Sequence, residues 1–276
     1  MPLERATITW RGEPTLAKRP LPLIPPGWVI VKVTVAAWTG VEEAIRQGVL
    51  DARNGVIQGF TGAGRVVETT PGAEHLSGHL VAPYRVQDWW TPGLEADGFL
   101  ADYAAAPAET LTTIASASED WVSALMLPAS LACEAVNTLE ARDVLEVEVR
   151  GLGAFGLLVL LEAARRGIGV RVDTLKRLPA ECRDYPRATR PRAFVHAKPY
   201  TTLDSDGLHI LHPYTKPSLA GKVTKAEILV ARGDASCAEA MLRRASRCIE
   251  RVTSQVEGLH VPPFLEGLIA YVFRLK

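Results

Sequence analysis

The sequence predicts a mixed α/β protein, a β-rich N-terminal part followed by a smaller parallel-sheet part, and three observations carry this. Short β-branched runs punctuated by glycine and proline fill the first hundred or so residues. A strand, glycine turn, helix and strand then follow one another across residues 144–175. The chain has 276 residues, 47% of them hydrophobic, enough to bury a core without disulfides or metals.

In the β-rich part, residues 28–35 are a β-branched run opened by the turn formers Pro25-Pro26-Gly27. Residues 61–68 follow the same logic, with Gly62 and Gly64 permitting a bulge or a close backbone approach. Residues 79–84 and 99–106 are further short strands. At residue 116 the character changes, because Ser116 and Glu119 make a capping box. The helix it opens runs to about Leu139, kinked or divided at Pro128, which has no N–H to donate.

Residues 144–149 alternate as a strand and deliver the chain to Gly151-Leu152-Gly153-Ala154-Phe155-Gly156. A helix over 157–166 ends with two arginines and Gly167, which suit a helix C-terminus. A strand over 170–175 completes the unit. Beyond it, residues 176–198 hold Lys176, Arg177, Arg183, Arg187, Arg190, Arg192 and Lys198 against Glu181 and Asp184, and the nearby prolines rule out a long helix. Short strands are expected over 193–197, 208–212 and 226–231, with room for turns between them but not for crossover helices. A long amphipathic helix over 234–253 has a second capping box, Ser236 with Glu239. Its apolar face is Cys237, Met241, Ala245, Cys248 and Val252.

The formal net charge is zero, so no global field attracts nucleic acid or membrane. The first residues lack a signal-peptide pattern, and no apolar run reaches the ~18 residues that span a bilayer. A cytoplasmic protein is expected. Cys133, Cys182, Cys237 and Cys248 are far apart and form no CxxC, so core packing is expected of them rather than a zinc knuckle or a disulfide framework. Arginine far outnumbers lysine, and Asn54 and Asn137 are the only asparagines, a balance that suits heat tolerance or a GC-rich genome equally.

The order of these signals resembles the medium-chain dehydrogenase/reductase superfamily. Gly27-Trp28-Val29-Ile30-Val31-Lys32-Val33 with Ala36-Ala37 is similar to its first landmark strand, and Gly59-Phe60-Thr61-Gly62-Ala63-Gly64 to the segment where a zinc enzyme reads Gly-His-Glu. Gly78-His79-Leu80-Val81, then Asp97-Gly98-Phe99-Leu100-Ala101-Asp102-Tyr103, then Arg142-Asp143-Val144 with the Gly151 turn complete the series. The resemblance covers residues 25–175 and is faint beyond, recovering at 261–272. It implies a GroES-like, barrel-type domain over 1–118, to which 256–276 return, and a reduced Rossmann-like domain over 119–255. It also implies zinc ligands at positions held here by Thr39 or Gly40, Phe60, Thr61 and Leu127, none of which suits zinc. No zinc is therefore expected.

Zinc-free relatives transfer hydride from NAD(P)H, the cofactor supplying the chemistry. On that reading the pyrophosphate lies on the backbone of Gly151, Gly153, Ala154, Phe155 and Gly156 at a helix N-terminus. Asp173, 22 residues past Gly151, is placed to take a ribose. Lys176 or Arg177 could meet a 2′-phosphate, or belong to a solvated basic loop. The glycines could equally serve only to pack helix on strand. Trp38, Phe60, Trp89 and Trp90 would form an apolar substrate pocket or simply core, and Thr39, Thr61 and Tyr84 are candidate proton donors. His209 and His212, three apart on a strand, face opposite ways and cannot easily share a metal.

Three functions compete: a zinc-independent NAD(P)-linked oxidoreductase acting on a small carbonyl or enone; a non-catalytic binding or assembly module; and an anion or nucleic-acid binder through 176–198. A homodimer joined at strand 226–231 is expected, because that strand would otherwise expose apolar groups.

Overall fold

Two strands that the β-branched pattern does not reveal open the described chain. β1 (Glu4–Trp10) and β2 (Pro14–Pro20) form an antiparallel hairpin. Their signal is hidden because β1 turns Arg5, Thr7 and Thr9 inward. The Arg5 guanidinium donates to Tyr103 O and to Asp97, and the threonine hydroxyls donate to Ala17 O and Thr15 O, so these polar groups are buried with partners. The computed structural model describes residues 4–115, 121–173, 178–220, 223–261 and 268–275.

The chain divides into two compact units, Met1–Leu127 with Thr253–Glu266 and Ala270–Lys276, and Pro128–Val252 with Gly267–Ile269. The first is built around β3 (Trp28–Trp38), whose Val29, Val31, Ala36 and Ala37 are fully buried. One edge of β3 pairs along its length with β4 (Thr61–Thr69). The other edge is shared: residues 28–32 pair with β6 (Tyr103–Pro107), and residues 35–38 with β16 (Ala270–Arg274). Register shifts at Ile30/Val31 and Val33/Val35 let one strand turn this corner. β5 (Leu80–Pro83), β7 (Leu111–Thr113) and β15 (Thr253–Glu257) complete a seven-stranded sheet. The glycines of β4 are sterically required, since a Cβ on Gly64 would stand 2.1 Å from Lys32 O.

The capping box expected at Ser116 and Glu119 lies outside the described residues. A 3₁₀ turn over Trp121–Leu125 leads into α2 (Met126–Ala141), so the helix is divided before Pro128 rather than at it. Pro128 is the third residue of α2, where an N–H would have no helical partner anyway. Together these 21 residues are long and apolar enough to cross a membrane, but most of their apolar stretch is buried.

The second unit holds a five-stranded parallel sheet in the order β14-β12-β10-β8-β9. Its strands are β8 (Glu146–Arg150), β9 (Gly169–Val172), β10 (Ala193–His196), β12 (Gly207–Leu211) and β14 (Ala226–Val230). α3 (Ala154–Arg165) is the crossover from β8 to β9. Beyond β9 the sheet is extended by a single parallel bridge, Val170 with Arg187. Among the described residues, the crossovers from β10 to β12 and from β12 to β14 contain no helix, as expected. Each holds a short strand instead, β11 (Tyr200–Leu203) and β13 (Lys216–Leu219), and the two pair in parallel.

A chain of hydrogen bonds anchors this reduced crossover. His209 Nε2 lies 2.9 Å from the Ser205 carbonyl, so it must carry a proton and donate. Its Nδ1 then accepts from His196 Nε2 at 2.9 Å, and His196 Nδ1 accepts from the Thr201 hydroxyl at 2.6 Å. Burial first, with the neighbouring His209 and Arg150, pushes His196 down to about 4. His212 packs instead against Phe155, and burial lowers it to about 3.

α4 (Ala238–Val252) begins later than the sequence suggests. The Ser236 N–H donates to Asp234 Oδ1, a local turn that replaces the expected capping box. The expectation for the cysteines also needs correction. Cys133 pairs with Cys237 and Cys182 with Cys248, so all four are in disulfides that tie α4 to α2 and to the 180–182 turn. Between α3 and α4, buried Glu162 accepts from Arg165, Arg166 and Arg244. Despite the desolvation that opposes it, these bonds bring its carboxyl down to about 2.

Candidate functional site

In the second unit, β8 and β10 are neighbours whose onward connections leave on opposite sides, so their C-terminal ends form a topological switch point. The glycine turn sits there, and its three glycines have three different reasons to be glycine. Gly151 has φ +100°, a left-handed conformation that side chains rarely adopt. Gly156 packs helix on strand, because a Cβ there would lie 2.0 Å from Gly151 O and 3.1 Å from the Ala197 side chain. Gly153 is different: a Cβ added to it would meet nothing within 4 Å. It is the N-cap of α3 and makes no side-chain cap, so the first-turn N–H groups of a 12-residue helix have no capping side chain to bond. The packing reading therefore accounts for Gly156 and leaves Gly153 unexplained.

Asp173 directly follows β9, at the strand end rather than in its middle. Its Oδ1 accepts the Gly151 N–H at 3.1 Å, and its Oδ2 pairs with Lys198. Ala154 and Phe155 are buried in the first turn of α3. Arg177 and Lys176 lie outside the described residues. Of the other basic residues, Arg183 donates to Leu178 O and Arg187 lies over the Tyr185 ring. A cavity of about 260 Å³ lies elsewhere in this unit, against Leu160, Leu161, Cys182, Tyr185, Pro186 and Cys248, and shares no residue with the glycine turn.

In the first unit the positions expected for metal ligands have other uses. Thr39 caps the short helix α1 (Gly40–Arg46), its hydroxyl accepting from the Val41 N–H. The same hydroxyl donates to Glu42 Oε2 at 2.8 Å, and the Thr39 N–H reaches that oxygen at 2.6 Å. Glu42 Oε1 accepts the Phe60 N–H at 2.5 Å. One buried carboxylate thus joins the backbone at 39 to the backbone at 60. Burial raises its pKa even though these hydrogen bonds favour the charged form. Glu42 is not among the expected site residues, although Thr39-Gly40-Val41-Glu42 is a capping-box pattern.

Thr61 and Leu127 are fully buried, and the Thr61 hydroxyl has no hydrogen-bond partner among the described residues. Trp38, Phe60 and Trp90 are core side chains, Trp90 packing edge-on to Phe99. Trp89 is separated from them: it is exposed and lies 6.2 Å from the Trp28 ring. Tyr84 is half-buried with Arg85 over its ring. The described residues include no group of three or more His, Cys, Asp or Glu able to hold a metal ion.

Residues 25–116 match the family described as the alcohol dehydrogenase GroES-like domain. Among solved structures, a short chain alcohol dehydrogenase from E. coli CFT073, complexed with NADH, is similar with a TM-score of 0.74 at 17% identity, with 99% of each chain covered. Glucose dehydrogenase of Haloferax mediterranei, in complex with NADP, Zn and gluconolactone, gives 0.73 at 14% identity, again over 99% of both chains. 2R,3R-butanediol dehydrogenase from Bacillus subtilis gives 0.69 at 14%, covering 99% of this chain and 100% of that one. A comparison with curated protein sequences returned no match.

Proposed function

We propose that this chain, which carries the fold of the medium-chain dehydrogenase/reductase superfamily with a GroES-like domain at residues 25–116, is a zinc-independent NAD(P)(H)-linked oxidoreductase. The open space at Gly153 carries the proposal. A glycine whose Cβ would touch no protein atom, on an uncapped helix N-terminus at a switch point, is what close approach of a pyrophosphate requires. The backbone N–H groups of Gly153, Ala154, Phe155 and Gly156 would hold it, Gly151 shaping the turn, and Asp173 would receive a ribose. When bound, the dinucleotide supplies the hydride.

The donor chemistry in the first unit does not fit zinc. Phe60 and Leu127 offer only carbon, and the Thr39 hydroxyl is engaged in a cap. Of the three hydroxyls considered as proton donors, that of Thr61 is uncommitted, so we favour it as the group that meets a substrate oxygen. A small carbonyl or enone is the substrate class we favour.

Titration with NADH and NADPH, followed by nicotinamide fluorescence, should saturate below about 1 mM, and Gly153→Val should abolish the signal. Absence of binding by the wild-type protein would favour the second reading, a non-catalytic module. That reading draws on the single bridge beyond β9 and on crossovers built from β11 and β13 instead of helices. Heparin retention lost on changing Arg187, Arg190 and Arg192 to Ala would support anion binding through 176–198.

We also propose a homodimer joined through β14, an edge strand with Ile228 and Val230 exposed, which a ~30 kDa species in sedimentation would refute. We place the protein in the cytoplasm. Disulfides there suit a hyperthermophile, and the scarcity of asparagine agrees.

A further inference from the structure

Lys198 follows β10 by two residues, at the switch point and beside Gly151. Its backbone is fixed from two directions. The Thr215 hydroxyl lies 2.8 Å from Lys198 O, its nearer acceptor, and 3.3 Å from His196 O, and the Ala197 N–H donates to Arg150 O at 2.9 Å. The aliphatic part lies over the glycine turn, where Lys198 Cγ would be 2.8 Å from a Cβ on Gly151. The ammonium pairs with Asp173 Oδ2, while Asp173 Oδ1 keeps the Gly151 N–H.

We infer that Lys198 sets the discrimination between NADPH and NADH at this site, an inference that rests on the dinucleotide reading above. A lone carboxylate after β9 accepts the hydroxyls of an adenosine ribose and repels a 2′-phosphate placed on that ribose. Here the carboxylate carries its own counter-charge from a different strand. Among the described residues the pair is balanced in charge, and an ammonium has three N–H donors, more than Asp173 Oδ2 uses. The ribose hydroxyls can still reach the carboxylate, and a 2′-phosphate meets an ammonium instead of a bare negative charge. The site therefore takes both cofactors, and the two residues pull its preference in opposite directions.

The test is equilibrium binding of NADH and NADPH, each to wild type, Lys198→Met, Lys198→Arg and Asp173→Asn, with thermal melts to check folding. Wild type should hold the two within about tenfold of each other. Lys198→Met should weaken NADPH about tenfold, the size expected of a half-exposed charge–phosphate contact, and NADH less than about threefold. Lys198→Arg should retain NADPH, and Asp173→Asn should weaken NADH while strengthening NADPH. Equal loss of both cofactors in Lys198→Met, or no change in either, would overturn the role of Lys198 and leave the oxidoreductase reading standing. Failure of wild type to bind either would overturn both.

Discussion

The backbone at residues 39 and 60 of the first unit and the glycine turn of the second unit are held in opposite ways. In the first unit one buried side chain makes the tie, Glu42 accepting the N–H groups of Thr39 and Phe60. In the second unit Gly151, Gly153 and Gly156 act through the lack of a side chain, one at a left-handed φ, one at an uncapped helix N-terminus and one against the Gly151 carbonyl. A carboxylate tie can be supplied by another acceptor, whereas a missing Cβ has no substitute.

The largest effect that would test this contrast is within the turn itself. Gly156→Val should cost about 3 kcal/mol or more, since its Cβ would meet backbone rather than a movable side chain. Gly153→Ala should cost about 1 kcal/mol or less, as expected at an N-cap. Urea unfolding of the two variants checks the difference; equal costs would mean that both glycines serve packing. Next come the disulfides, which close separations of 104 and 66 residues in the second unit alone. Reduction should lower stability by about 2–4 kcal/mol for each. Unfolding measured with and without a reductant reports it, and a single unchanged transition would contradict the pairing.

Acid should also act on the second unit. His196 is buried neutral with a pKa of about 4, against 6.5 when unfolded. Between those values the unfolded chain binds more protons, so stability is present above pH 6.5 and is lost as pH falls through about 4. His196 alone accounts for about 3 kcal/mol of that loss, and His212 adds a window reaching to about pH 3. The Glu162 ion pairs persist through this range, because that carboxylate protonates only near 2. Stability that is flat from pH 7 to pH 4 would rule the buried neutral pair out. In the first unit the corresponding variant is Glu42→Gln. It retains one acceptor oxygen for three donors and should cost about 1–3 kcal/mol. If it costs nothing, Glu42 is not the tie between positions 39 and 60.

Legibility differed between elements for physical reasons. β8 was readable because its burial alternates, β3 because it is a β-branched run opened by turn formers, and α3 because it lies between a glycine turn and an Arg-Arg-Gly end. β1 was not, because it turns the polar residues Arg5, Thr7 and Thr9 inward, and the partners of Arg5 stand far along the chain. β13 was not, because all four of its residues are exposed and polarity alone looks like loop. The glycine turn was visible as a spacing, whereas the separate tasks of its three glycines required coordinates. Lys198 was visible only as one of the basic residues of 176–198, since its partner Asp173 follows a different strand.

The sequence by itself determined which side chains are missing: no coordinating atom at Phe60 or Leu127, and no Cβ at the three glycines. Those are chemical facts that folding cannot alter. Only the tertiary structure decided what the remaining groups do, because pairing depends on distances that chain separation does not encode. It brought Cys133 to Cys237 and Cys182 to Cys248, turned the Thr39 hydroxyl into a cap, and set Lys198 beside Asp173. It also separated Gly156, which packs, from Gly153, whose added Cβ would meet nothing, a distinction made by the atoms around each and by nothing in the residue itself.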